Sequence, residues 1–212
     1  MPGCLVAFEG TEGSGKTSQL RRAAAWLAPH LDFVVTREPG GTAIAEAVRS
    51  VVLAGSDEID PATVAFLMNA ARHDHCRRVI SPALGRGAIV LTDRFTASTL
   101  AFQGSGDGVS EEWLTELERL ATGGLTPHRN LLFDLEVEIG LARRLGAGGV
   151  NAIDRRDVAF HGRVRDGYHR LVETAPTSWT VINAAVDQET VWIDVKEALS
   201  RVLEHCGTAP PQ

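Results

Sequence analysis

A stretch of eight residues near the start of the chain constrains the fold more than any other feature. Residues 10–17 read GTEGSGKT and match the phosphate-binding pattern G-x-x-x-x-G-K-[ST] at every fixed position. An apolar run, Leu5–Phe8, precedes this stretch, and a segment of helical composition, Lys16–Leu27, follows it. Strand, loop and helix therefore come in the order that a P-loop requires.

The residue types in this loop indicate what it binds. Its glycines let successive backbone N–H groups point at an anion, Lys16 can reach the β- and γ-phosphates, and the Thr17 hydroxyl can ligate Mg²⁺. A glycine-rich turn without a ligand has no need of a Lys-Thr pair at the start of its helix. The sequence therefore predicts binding of ATP by Gly10, Thr11, Glu12, Gly13, Ser14, Gly15, Lys16 and Thr17.

Alternation of apolar runs with helix-like segments predicts the fold class. A chain of 212 residues with 44% hydrophobic residues suits one compact α/β domain, expected over 1–206. The pattern predicts a parallel sheet covered by helices on both faces. The apolar runs are Cys4–Phe8, Phe33–Thr36, Ala88–Leu91, Asn130–Leu135 and Thr180–Asn183.

Charge and composition disfavour several kinds of partner. The 21 Lys and Arg residues are outnumbered by 27 Asp and Glu residues, and no long basic run is present, so we expect no nucleic-acid partner. No apolar run approaches the roughly 20 residues of a membrane helix, so we expect no membrane partner. Three widely spaced cysteines suit reduced thiols, and we expect a soluble, cytoplasmic protein.

Charged residues follow the predicted strands, and two of these strands end in distinctive segments. The second runs into Thr36–Thr42, whose Pro and two Gly residues break regular structure, and the third ends at Asp93-Arg94. The carboxyl ends of parallel strands carry the ligand site in open sheets. We therefore expect Glu12, Arg37 and Arg94 to converge above the P-loop.

Three other segments are expected to be irregular. Glycines between Gly104 and Gly108 predict a flexible loop, and residues 207–212 predict a disordered tail. A glycine-rich stretch, Gly146–Gly149, is followed by two arginines within Asp154–Asp157. In a phosphate-binding protein this pattern predicts a mobile lid at about residues 143–158, and a solvated loop is the alternative.

Four motifs in order resemble those of the thymidylate kinase family, and the resemblance covers nearly the whole chain. They are Phe8–Thr17, Thr36–Thr42, Ala70–Arg72 on a long helix predicted over 61–84, and Asp93–Phe95 with Ser98 and Ala101–Gly104. The resemblance implies a P-loop NTPase fold with a five-stranded parallel sheet and a homodimer. It also implies that the γ-phosphate of ATP is transferred to dTMP, with Mg²⁺ present.

The resemblance also implies roles for residues around the reacting phosphates. Lys16, Thr17 and the loop amides would hold ATP and Mg²⁺, with Asp93 near the metal. Glu12 would lie near the acceptor sugar and Arg94 on the acceptor phosphate. Because the loop has no arginine, a lid arginine would offset charge on the transferring group, and the candidates are Arg143 and Arg155.

The acceptor side is expected to be built from the remaining motifs. Arg72 and the Ser98-Thr99 pair resemble the residues that meet the edge of thymine. The expected acceptor-binding residues are Glu12, Arg37, Pro39, Met68, Arg72, Arg94, Ser98, Thr99, Phe102 and Gln103.

Three positions on the acceptor side depart from the family pattern. Met68 stands where the family usually has a phenylalanine that stacks on thymine, Phe102 stands where tyrosine is common, and Asn69 replaces alanine or an aromatic residue. Two alternatives therefore stay open. One is a kinase of the same fold for another nucleotide or a small hydroxyl metabolite of a secondary pathway. The other is a P-loop switch, although the guanine-reading N-K-x-D pattern is absent at residues 133–136.

Overall fold

A five-stranded, fully parallel sheet forms the centre of the molecule, in the order β2-β3-β1-β4-β5. The computed structural model describes residues 3–55, 59–146, 148 and 151–211. The predicted α/β class and the five parallel strands are confirmed. The strands are β1 (Cys4–Glu9), β2 (Phe33–Arg37), β3 (Ile89–Asp93), β4 (Arg129–Asp134) and β5 (Trp179–Asn183).

Alternating side chains of the central strand divide the core into two layers. Cys4, Val6 and Phe8 pack into one cluster, whereas Leu5 and Ala7 pack into another on the opposite face. Successive side chains of a strand point to opposite faces, so a strand covered on both faces is apolar at every position. This is why β1 appears in the sequence as a continuous apolar run.

Helices cover both faces of the sheet. Two of them, α1 and α9, contribute Leu20, Leu27 and Leu199 to the layer that contains Phe8. The other face is covered in part by α8, whose Phe160 and Tyr168 pack against Leu132 of β4. The helices are α1 (Lys16–Leu27), α2 (Ala43–Gly55), α3 (Pro61–His75), α4 (Ser81–Gly85), α5 (Thr96–Thr99), α6 (Glu111–Thr122), α7 (Val137–Gly146), α8 (Val158–Thr174) and α9 (Gln188–His205).

The segment expected to be a flexible loop at Gly104–Gly108 is largely helical instead, and that expectation is wrong. Leu100–Gly106 forms a π-helix that continues α5. A Cβ atom on Gly106 would lie 2.6 Å from the Phe160 ring, and one on Gly167 of α8 would lie 2.3 Å from the Ser105 hydroxyl. These glycines therefore allow two helical segments to pack closely.

The long helix predicted over 61–84 is interrupted in the structure. A π-helical segment, Cys76–Ile80, separates α3 from α4, so the helical path extends from Pro61 to Gly85. Asp60 begins this path, because its carboxylate accepts hydrogen bonds from the backbone amides of Ala62 and Thr63.

The predicted tail and lid are only partly covered by the description. Of residues 207–212, the first two close the end of α9, because the amides of Gly207 and Thr208 donate to the carbonyls of Glu204 and Leu203. Within the predicted lid, residues 147, 149 and 150 lie outside the described residues. In the described parts of the chain, no helix combines the length and apolarity needed to cross a bilayer.

Candidate active site

One cavity of about 860 Å³ opens at the carboxyl edge of the sheet. Residues that follow β1, β2 and β3 line it, together with side chains from α2, α3 and α7. Glu12, Arg37 and Arg94, which were expected to converge here, all line this cavity. The location agrees with the general rule for ligand sites in open parallel sheets.

The loop between β1 and α1 has the backbone shape of an anion-binding turn. Gly13 and Gly15 have φ angles of 71° and 84°, in the left-handed region that favours glycine. Gly13 also lies against Gly140 of α7, and an added Cβ atom would lie 1.9 Å from the Gly140 carbonyl oxygen. Residues 12–17 line the cavity, whereas Gly10 and Thr11 lie buried behind it.

Lys16 folds back onto this loop. Its Nζ donates to the carbonyl oxygens of Gly10 at 3.0 Å and Thr11 at 2.7 Å, and to Ser14 Oγ at 3.2 Å. Burial, followed by the positive charge of Arg94, lowers the pKa of Lys16 to about 8. The amine is therefore held on weak neutral acceptors at the wall of the cavity, where an anionic phosphate would be a stronger partner.

Thr17 and Asp93 form a pair of oxygen groups at the cavity wall. The Thr17 hydroxyl donates to Asp93 Oδ2 at 2.7 Å, and both residues line the cavity. A hydroxyl and a carboxylate side by side offer the hard oxygen ligands that Mg²⁺ prefers. The residues present therefore fit the magnesium ion that the sequence implies.

Arg94 has an uncommon backbone conformation and four polar partners. Its φ angle is 72°, which is rare for a residue with a side chain. Nη2 donates to Glu12 Oε1 at 2.6 Å, while Nη1 donates to the Gly10 carbonyl, the Ser98 hydroxyl and the Tyr168 hydroxyl at 2.9–3.2 Å. Burial opposes the charged form, but Glu12 and the other neighbouring anions outweigh it and raise the pKa of Arg94. The guanidinium is thus a permanent cation held at the cavity.

Glu9 supports Arg94 from below, and the sequence analysis did not identify it. Its fully buried carboxylate accepts from the Ser98 hydroxyl at 2.6 Å, the Phe95 amide at 2.8 Å and the Tyr168 hydroxyl at 3.0 Å. Burial raises the pKa of Glu9. These bonds hold the backbone after Arg94 and two of the hydroxyls that contact its side chain.

Most of the residues expected to bind the acceptor line the same cavity. Arg37, Pro39, Met68, Ser98, Phe102 and Gln103 line the cavity. The Phe102 ring lies under the Arg94 guanidinium, with 4.8 Å between the Cζ atom and the ring centroid. Arg49 of α2, which the sequence analysis missed, also lines the cavity and donates to the Pro39 carbonyl at 3.0 Å.

Arg72 and Thr99 do not line the cavity and form part of a sealed cluster behind it. Arg72 is 1% exposed, and its Nε donates to Glu38 Oε2 at 2.7 Å. Its Nη1 donates to Thr99 Oγ1 at 3.0 Å and lies 3.4 Å from Glu118 Oε1. Glu38 separates the two regions, because it lines the cavity while its carboxylate binds Arg72.

Two arginines from α7 lie at the cavity, and they differ from the pair proposed for the lid. Arg143 and Arg144 line the cavity, whereas Arg155 is exposed and does not. Arg143 Nη1 donates to the Ala184 carbonyl at 2.9 Å. Ala152 contacts α2, because its amide donates to the Leu53 carbonyl at 3.2 Å.

Comparisons with known proteins agree with this geometry. The family model described as thymidylate kinase matches residues 8–194. A thymidylate kinase from Thermomicrobium roseum is 46% identical, covering 93% of this chain and 96% of the relative, and one from Pseudomonas putida is 44% identical, covering 97% and 99%. The crystal structure of a thymidylate kinase from Ehrlichia chaffeensis superposes with a TM-score of 0.77 at 29% identity, covering 94% of this chain and 99% of that one. The chain belongs to the thymidylate kinase family.

Proposed function

We propose that this protein transfers the γ-phosphoryl group of ATP to the phosphate of dTMP, giving dTDP. One observation supports this reaction above the others. Lys16 Nζ and Arg94 Nη1 donate to the same carbonyl oxygen, that of Gly10, at 3.0 and 2.9 Å. Two cations from different strand ends are therefore held close together at the cavity wall, as transfer between two phosphates requires.

The two cations serve different phosphates. Lys16 and the amides of the P-loop bind the β- and γ-phosphates of ATP, because the loop supplies inward-facing N–H donors. Arg94 binds the acceptor phosphate and Glu12 fixes its guanidinium. Arg143 lies at the same cavity and supplies an arginine, which the P-loop itself lacks. Catalysis then rests on in-line positioning and electrostatic stabilisation of the transferring group.

Thr17 and Asp93 would hold the magnesium ion with the oxygen pair that they form. When bound, the ion neutralises negative charge on the β- and γ-phosphates of ATP. The two side chains also fix each other before any ligand arrives, since the hydroxyl already donates to the carboxylate.

The acceptor base lies between α3 and the π-helix that follows α5. Met68 provides an adaptable apolar contact there, while Gln103 can pair with the polar edge of a base. Asn69 is 2% exposed and bonded to Arg72 at 3.3 Å, so it acts within the sealed cluster and leaves the acceptor untouched. Of the three departures from the family pattern, two therefore lie at the acceptor.

An acceptor panel tests the proposal directly. ADP release is measured with ATP and Mg²⁺ in the presence of dTMP, dUMP, dCMP, dGMP, a ribonucleotide set or no acceptor. We expect kcat/KM to be highest for dTMP. Equal, weak turnover with every nucleotide would reject dTMP as the substrate, and ADP release that needs no acceptor would reject phosphoryl transfer altogether.

Lys16→Ala tests the donor side with a control that the chain itself provides. The sequence contains two lysines, Lys16 and Lys196. Lys196 of α9 lies over the ring of Trp26 of α1, at 5.5 Å from the ring centroid. We expect Lys16→Ala to lower kcat by about 10²–10³-fold, since a cation on the transferring phosphates is lost. Lys196→Ala should retain activity. Near-normal kcat in Lys16→Ala would reject the assignment of the loop.

A homodimer is proposed as the assembly, supported by an apolar surface of α3 and α6. Phe66 and Trp113 contact each other edge to face at 5.0 Å, and Phe66 and Leu120 are more than half exposed. Adjacent exposed aromatic and aliphatic groups favour a protein partner. Light scattering of wild type and Phe66→Asp tests this: a dimer that persists in the variant excludes this surface.

The cytoplasmic location expected from the sequence stays a prediction.

A further inference from the structure

Three metal-ligating side chains meet at the edge of the sheet opposite to the candidate active site. Cys4 is the first residue of β1, His128 directly precedes β4, and Cys206 ends α9. One ligand atom from each side chain lies within 4.8 Å of the other two. His128 lies 124 positions after Cys4, and Cys206 lies 78 positions after His128. The fold of the chain therefore brings the three residues together.

We propose that Cys4, His128 and Cys206 form a binding site for a thiophilic transition-metal ion of the Zn²⁺ class, separate from the phosphoryl-transfer site. Two sulfur ligands and one imidazole are the donor set that such ions prefer. Three protein ligands leave a fourth tetrahedral position for water. The bound ion joins the first strand to the last helix and stabilises the folded chain.

The surroundings of the cluster favour a cation. Cys206 lies at the C-terminal end of an 18-residue helix, where backbone carbonyls give a partial negative charge. Exposure increases from the buried Cys4 through the half-buried Cys206 to the exposed His128, so an ion can enter from solvent. The packing of Cys4 and Cys206 in one apolar cluster holds the inner two ligands in place.

Binding an ion requires loss of the proton of the Cys4 thiol. Burial, and next the neighbouring Cys206, raises the pKa of this thiol, so the ion must displace its proton. Burial, and next the charge of His205, lowers the pKa of His128, which keeps its imidazole neutral. Affinity should therefore rise with pH, because binding releases thiol protons.

One hydrogen bond must be exchanged when the ion binds. The Leu5 amide donates to His128 Nδ1 at 3.1 Å, which leaves the neutral ring with its proton on Nε2. Ligation through Nδ1 would replace the amide at the nitrogen lone pair, and ligation through Nε2 would move the proton to Nδ1, so either nitrogen gives up this bond. A single neutral hydrogen bond contributes far less than metal ligation by thiolates, so the exchange favours binding.

Cobalt provides the probe for this site. The reduced, metal-free full-length chain is titrated with Co²⁺ and then with Zn²⁺ at neutral and mildly alkaline pH, and sulfur-to-cobalt charge-transfer absorption is recorded. We expect one Co²⁺ per chain, displaced by Zn²⁺. Oxygen ligands such as Thr17 and Asp93 give no sulfur charge-transfer band, so binding at the phosphoryl-transfer site does not mimic this signal.

Cys206→Ser and His128→Asn should each weaken Co²⁺ binding and remove most of the absorption. Cys76→Ala is the matched control, because it deletes the remaining cysteine and leaves the three ligands intact. Zn²⁺ at about 100 times its Kd should raise the wild-type Tm by roughly 5–10 °C, with no rise in Cys206→Ser. His128 is exposed, so its variant should fold even if a cysteine variant does not.

Two results would overturn the proposal. The first is the absence of sulfur charge transfer in the reduced wild-type chain. The second is a chain that binds no metal when reduced but forms a Cys4–Cys206 disulfide when treated with a small-molecule disulfide, which assigns the pair to redox chemistry. Because kinase activity is measured separately, failure of the metal site leaves the proposed function unaffected.

Discussion

Two arginines of this protein each pair with a glutamate, yet they lie in different regions. The Arg94 side chain is 15% exposed, and its partner Glu12 is 21% exposed, at the wall of the cavity. The Arg72 side chain is 1% exposed, and its partners Glu38 and Glu118 are 3% and 7% exposed. The first pair can exchange a protein anion for a substrate anion, whereas the second has no such opening.

This difference in exposure separates an arginine that is available to a ligand from one that stabilises the fold. Removing one partner of a buried ion pair leaves an uncompensated charge, and its cost is paid in stability. A cation at a cavity wall instead contributes to ligand and transition-state binding. We therefore propose that Arg72 supports the cavity wall through Glu38, and that Arg94 contacts the acceptor.

The largest expected effect is on stability, in Arg72→Ala. Loss of the guanidinium leaves the buried Glu38 without its arginine partner, and we expect a cost of about 3–5 kcal/mol. For a chain of this length the Tm should fall by roughly 6–20 °C in thermal unfolding. Arg78→Ala, which removes an exposed ion pair with Asp74, is the control and should leave the Tm nearly unchanged.

Arg94→Ala should show the reverse pattern. We expect kcat/KM for dTMP to fall by about 10²–10³-fold, because the acceptor phosphate loses its fixed cation, while the Tm changes less than in Arg72→Ala. Arg94→Lys should recover part of the activity, since lysine keeps the positive charge but lacks the planar guanidinium that donates two parallel hydrogen bonds. If Arg72→Ala lost activity at an unchanged Tm, the assignments of the two arginines would have to be exchanged.

Lys16 gives ligand binding at the cavity a pH dependence of its own. Its pKa is lowered to about 8, first by burial and then by Arg94, so the amine loses its charge as the pH rises through that value. We expect kcat/KM for ATP to fall about tenfold per pH unit above pH 8. The pH profile of kcat should begin to fall at a higher pH than that of kcat/KM, because bound phosphates favour the charged form of Lys16. A kcat/KM profile that stays flat across pH 8 would contradict this interpretation.

The smallest effect tests whether α3 contacts the acceptor one turn before it contacts the sealed cluster. Met68 lines the cavity, four residues before Arg72 on the same helix. In Met68→Phe the ring gains a stacking contact worth about 0.5–1.5 kcal/mol, so KM for dTMP should fall roughly two- to tenfold. KM for ATP serves as the internal control and should not change. An unchanged KM for dTMP would place the base elsewhere.

Motifs in the sequence identified residue types more reliably than the directions of their side chains. The P-loop and the five strands could be predicted, because fixed spacing and apolar runs depend on local geometry alone. Arg72 was expected to contact the base of the acceptor, because the motif identifies this residue but not the groups that its side chain contacts. Its partner Glu118 is 46 positions away, and only the packed α3 and α6 show that the guanidinium is enclosed.

Contacts between distant segments explain the other differences. The glycines between Gly104 and Gly108 predict a loop if each is considered by itself, but Gly106 is required by the Phe160 ring on another helix. Arg49 and Glu9 carry no motif that the sequence analysis used, and their roles follow from contacts with Pro39 and Phe95. Pairwise packing of this kind is not encoded by periodicity.

The contact between Gly13 and Gly140 has a mechanical consequence. A Cβ atom on either glycine would overlap the backbone of the other segment, so the phosphate loop and α7 touch without an intervening side chain. Helix α7 carries Arg143 and Arg144 at the cavity. A displacement of this helix would therefore displace the phosphate loop as well, so the arginines of α7 and the loop would move together.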